Sequence, residues 1–85
     1  MKEIRYVIAD ELGIHARPAG NLIKVASKYQ CDIKIGTPTK MVDAKRIMGV
    51  MGLALKQNDE ITMTFDGVDE DTAATGMETF LQENL

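Results

Sequence analysis

The apolar residues of this chain repeat at every second position in some segments and at every third or fourth in others. That alternation limits its possible folds more than any other feature. In "KEIRYVIA", Ile4, Tyr6 and Ile8 fall on one side and Glu3, Arg5 and Val7 on the other, the two-residue period of a strand. From Ala19 the positions become Ala19, Leu22, Ile23 and Ala26, one stripe of a helix. "CDIKI" alternates again, "GTPTK" has turn chemistry, and "MVD" follows as a short strand able to pair back in a hairpin. Ile47, Val50, Met51 and Ala54 restore helical spacing over two turns and are read as facing inward. "EITMTF" is a strand with Ile61, Met63 and Phe65 on one face. A last helix buries Ala73, Met77, Phe80 and Leu81, with Asp69 as its N-cap and Glu70 and Asp71 in the turn where the helix dipole favours acids. Because every strand is one-sided, the sheet has one buried and one wetted face. The order β-α-β-β-α-β-α therefore predicts an α+β open-faced β-sandwich, a four-stranded antiparallel sheet with three helices on one face.

Eighty-five residues suffice for one domain over 1–85 that folds without staples. Cys31 is the only cysteine, so no internal disulfide forms and no Cys/His cluster is available for zinc. A reduced, cytoplasmic setting is the expectation. The start of the chain carries charges inside its apolar stretch, unlike a signal peptide. The longest apolar run, Ile47 to Leu55, is too short to cross a bilayer. Charge is unevenly distributed. Residues 1–56 hold all ten Lys and Arg against five acids, a net +5, whereas residues 57–85 hold eight acids and no cation, a net −8. An anionic ligand or acidic partner belongs with the first part. Nucleic acid is a poor candidate, because the pI is near 5.0 and no basic run is interleaved with aromatics.

The chain's single histidine lies in "GIHARPAG", Gly13 to Gly20. Pro18 is tolerable only within the first turn of a helix, which places His15 at or beside the N-cap. The first amides of that helix, from Ala16 onward, have no intrahelical acceptors and form an anion site strengthened by the dipole. A cationic ring is disfavoured there, so the position favours the neutral, nucleophilic imidazole. A phosphoryl group taken up by that ring would place its charge on the waiting amides, and Arg17 stands near enough in sequence to add a fork of donors. The pattern reads as a phosphoryl relay. Hydrolytic chemistry lacks a Ser or Cys nucleophile motif, and no Gly-rich nucleotide loop is present. No cofactor or metal is expected.

In "RIMGVMGLAL", Met48, Gly52 and Leu55 add a second apolar stripe beside the inward-facing one. A two-turn helix cannot bury every side, so part of Ile47, Met48 and Met51 is expected to form an adaptable contact patch. Arg17, Lys24, Lys45 and Arg46 would border it and suit acidic partners. A core role for the methionines and a merely solvated role for the charges stay open. Cys31 is read as strand core.

"ELGIHARPA" together with "AKRIMGVMGLAL" and "DEITMTFDG" closely resembles HPr, the histidine-containing phosphocarrier of the phosphoenolpyruvate-dependent sugar phosphotransferase system, over nearly the whole chain. The resemblance implies that His15 accepts a phosphoryl group at Nδ1 from phosphorylated enzyme I and passes it to IIA domains of sugar permeases. It implies a relay rather than an enzyme, a monomer, Ala16 and Arg17 as phosphate-binding residues, and Gly20, Lys24, Ile47, Met48 and Met51 as the docking surface. One position departs. The family pattern "AKSIMG", with a regulatory serine, reads "AKRIMG" here, which puts serine regulation in doubt and adds Arg46 to the docking rim. A specialised relay of a nitrogen-related or dihydroxyacetone branch stays open. So does a regulatory module that docks transcriptional regulators, although such relatives lack the histidine.

Overall fold

The computed structural model describes residues 1–85. Its elements are β1 (Lys2–Val7), α1 (Ala16–Ala26), β2 (Asp32–Thr37), β3 (Lys40–Asp43), α2 (Ile47–Gly52), β4 (Glu60–Asp66) and α3 (Glu70–Asn84). All strand pairs are antiparallel, in the spatial order β1-β4-β2-β3. The register sets Ile4 opposite Met63 and Ile35 opposite Met63 from the other side, so the apolar residues of neighbouring strands share one face. Ile33, Ile35, Ile61, Met63 and Phe65 are fully buried on that face, together with Leu22, Val50, Met77 and Leu81 from the helices. Each such side chain contributes roughly 1.5–3 kcal/mol on leaving water. Thr62, Thr64 and Lys34 line the opposite, wetted face. The predicted open-faced architecture is the observed one.

Helix α1 lies between its two partners, packing on α3 to one side and on α2 to the other. Its buried residues are Pro18, Ala19, Leu22 and Ala26, the stripe that the periodicity indicates.

Three local expectations need correction. Helix α2 stops at Gly52, and only Val50 within it is fully buried. Ile47 and Met51, read as inward-facing, are 41% and 39% exposed. Ala54, also expected inside, has left the helix with φ at +52° and is exposed, while Leu55 enters the core instead. A six-residue helix lying beside a sheet edge has one contact line, too narrow for a stripe of four. Asp69 does occupy the N-cap position of α3, yet its carboxylate makes no capping bond there. It accepts the amide protons of Gln30 at 2.7 Å and Cys31 at 2.8 Å. Lys45, placed on the docking rim above, donates from Nζ to the carbonyl oxygens of Tyr29 and Cys31 at 2.7 and 2.9 Å. Asp69 thus holds amides, and Lys45 carbonyls, of the same Tyr29–Cys31 turn. Cys31 is buried as expected, and burial together with the Asp69 carboxylate pushes its thiol up to about 11, which leaves it unreactive at neutral pH.

Candidate functional site

The residues between β1 and α1 are held by main-chain bonds before any helix begins. Asp10 Oδ1 accepts the Leu12 amide proton at 2.8 Å, and the Asp10 carbonyl accepts that of Gly13 at 3.0 Å. Such a side-chain-to-backbone turn is the usual work of Asp in a loop. Gly13 turns the chain at φ +66°, and the Ile14 amide then donates to the Leu55 carbonyl at 3.1 Å. The loop leading into the site is therefore fastened to the segment that follows α2.

His15 follows as the N-cap of α1, with extended backbone (φ −114°, ψ −178°) and no capping bond from its ring. Its carbonyl accepts the Ala19 amide proton at 2.9 Å and starts the helix. The amides of Ala16 and Arg17 have no backbone acceptor, and Pro18 has no amide proton. The imidazole is half-buried and stands beside two free N–H groups at a positive helix end. Arg17 is exposed and belongs to none of the four ion pairs in the structure. His15 and Arg17 both line a cleft of about 250 Å³, together with Asp10, Pro18, Asn21 and Asn84. The fold thus brings together an imidazole, amides without acceptors and an unpaired guanidinium, which suits an oxyanion.

Gly20 and Lys24 continue along α1, the first with open space beside its Cα and the second exposed. Across the α1–α2 contact, Met48 is 82% exposed, with Ile47 and Met51 flanking it. Three apolar side chains of α2 are therefore exposed. Their rim is narrower than expected, because Lys45 is engaged with main-chain carbonyls. Arg46 remains, in a loose pair with Asp43 at 3.7 Å. Asp10, Asn21 and Asn84 were not singled out in the sequence. Asp10 sits five residues before His15 and could have been suspected, whereas Asn84 reaches the cleft only through packing of α3 on α1. No helix is long and apolar enough to cross a membrane.

Comparisons with known proteins identify the family. Residues 2–83 match the family model described as "PTS HPr component phosphorylation site". The chain is 43% identical over 83 residues to phosphocarrier protein HPr of Lysinibacillus sphaericus, covering 98% of this chain and 94% of the relative. It is 39% identical over 85 residues to phosphocarrier protein HPr of Mycoplasma genitalium, covering 99% and 97%. The crystal structure of an HPr from Thermoanaerobacter tengcongensis superposes with a TM-score of 0.92 at 34% identity, covering 98% of this chain and 93% of that one. The chain belongs to the HPr family of phosphocarrier proteins.

Proposed function

We propose that His15 accepts a phosphoryl group at Nδ1 from phosphorylated enzyme I and hands it to IIA domains of sugar permeases. The observation that carries this reading is the half-buried His15 ring at the mouth of α1, sharing one cleft with the unpaired Arg17 guanidinium and standing beside the free Ala16 and Arg17 amides. In the transfer, the imidazole nitrogen forms a bond to phosphorus as the bond to the donor breaks. The amides and the guanidinium then hold the phosphoryl oxygens. Phosphoryl transfer needs mainly positioning and charge stabilisation, so two docked proteins share the work and no cofactor is required on this side. Gly20, Lys24, Arg46, Ile47, Met48 and Met51 form the docking surface of a single-domain, monomeric, cytoplasmic carrier. Arg46 at the family's serine position also favours a specialised relay, which a panel of IIA-type acceptors would distinguish from a general one. The test is to add enzyme I and phosphoenolpyruvate to the purified protein. An acid-labile, base-stable mass gain absent in His15→Ala supports the relay, and no gain in the parent protein overturns it.

A further inference from the structure

Asp10 and Arg17 carry opposite charges, line the same cleft and belong to none of the ion pairs in the structure. What keeps Asp10 apart is visible in its bonds. One carboxylate oxygen accepts the Leu12 amide proton, its carbonyl accepts that of Gly13, and its own amide donates to the main-chain oxygen of Leu85 at 2.8 Å. Three bonds on three neighbours fix its position. The two main-chain bonds fix the backbone of Asp10 and the Leu12 bond turns its carboxylate back toward the loop, so no ion pair with Arg17 forms and the guanidinium stays free for an incoming oxyanion.

We infer that Asp10 is a charge-tuning residue that raises the free energy of the phosphorylated state of His15 and so keeps its phosphoryl group ready to leave. This rests on the phosphocarrier reading of His15. A phosphoryl group brings up to two negative charges into the cleft. Asp10 and His15 line the same cleft, so a phosphoryl group on the ring enters the space beside the Asp10 carboxylate, and salt at 0.1 M screens charges fully only beyond ~10 Å. The amides of Ala16 and Arg17, with the Arg17 side chain, attract the group, and Asp10 opposes them. A carrier that bound the group with attraction alone would be a sink. On departure, an acceptor's lone pair attacks phosphorus, the P–N bond breaks, its electrons return to the imidazole nitrogen, and the repulsion against Asp10 is released.

Asp10→Asn isolates the charge, because the amide oxygen of Asn still accepts the Leu12 proton. Equal amounts of parent and Asp10→Asn protein, one labelled with heavy nitrogen, are mixed with catalytic enzyme I and limiting phosphoenolpyruvate. Enzyme I exchanges the phosphoryl group between them, and intact mass reads the partition. The Asn variant is expected to hold about three- to tenfold more of the group at low salt, with the preference shrinking as salt rises. Asp10→Ser, which is neutral and can also accept that proton, is expected to behave alike. A structural effect would not vanish with salt. Equal partition at low salt, or a preference for the parent, overturns the role of Asp10 while leaving His15 as acceptor. If the parent itself takes up no phosphoryl group, both readings fall.

Discussion

Gly13 Cα faces the main chain of Leu55 and Lys56 so closely that a Cβ built on it would lie 2.7 Å from Lys56 Cα and nearer still to the Leu55 oxygen. The loop that carries His15 and the loop that leaves α2 are thus pressed together backbone to backbone. The positive φ of Gly13 adds a second reason for glycine at this position. Gly13→Ala is expected to cost about 2 kcal/mol or more, since the left-handed conformation and the clash act together. Calorimetry should show a drop in Tm on the order of 10 °C for a chain of this size. Phosphoryl uptake at His15 should slow in the folded variant, because the ring's platform has moved.

Asp69 gives a pH-dependent prediction. The Gln30 amide, first of all, holds its carboxyl below the ordinary value of 3.8, aided by the Cys31 thiol and amide. A depressed folded-state value means that its stabilisation is present above pH 3.8 and is lost as pH falls through that lower value. Asp69→Asn can accept only one of the two amide protons well. The parent should therefore melt above the variant at neutral pH, and the gap should close in acid below the usual carboxylate range. A gap in Tm that stays constant from pH 7 to pH 2 would remove the charge of Asp69 from the account.

Met48 separates docking from stability. At 82% exposure its side chain supports no core contact, so Met48→Asp should change stability by only about 0.5 kcal/mol. Loss of an exposed apolar anchor at the centre of a contact patch costs on the order of 2 kcal/mol of binding. A thermal melt beside a titration with enzyme I reads both quantities, and the two should dissociate.

Arg46 sits at the N-cap of α2 with no capping bond, where Ser, Thr, Asp or Asn is preferred. Its exposed pair with Asp43 is of the kind worth ~0–1 kcal/mol. Arg46→Ser is expected to gain on the order of 1 kcal/mol of stability from the cap. It is also expected to bind enzyme I or IIA more weakly at low salt, with the difference fading at high salt. The parent, lacking the serine, should take no label from an ATP-dependent serine kinase while still accepting phosphoryl at His15. Equal affinity of Arg46→Ser and parent across salt concentrations would remove the docking role of this arginine.

The alternation of two-residue and helical periods determined the order of the seven elements, the faces that β1, β2 and β4 bury and the start of α1, because these depend on neighbours a few residues apart, whereas β3 has half-buried Met41 and Val42 side by side and shows no such alternation. Pro18 placed His15 at the helix mouth for the same local reason. Where polar side chains end was not legible. Lys45 reaches carbonyls 14 and 16 residues away, and Asp69 reaches amides 38 and 39 residues away. No periodicity encodes such distances. Leu55 rather than Ala54 enters the core because α2 ends at Gly52 and the chain turns at Ala54 with a positive φ, which helical periodicity does not encode. The cleft has the same origin. His15, Arg17 and Asn21 come from α1 and its cap, and Asp10 from the loop just before them, but Asn84 joins only when α3 packs on α1. Sequence fixes which atoms can react and on which element they sit. The tertiary structure decides which distant polar groups surround them, because such neighbours are set by space rather than by chain order.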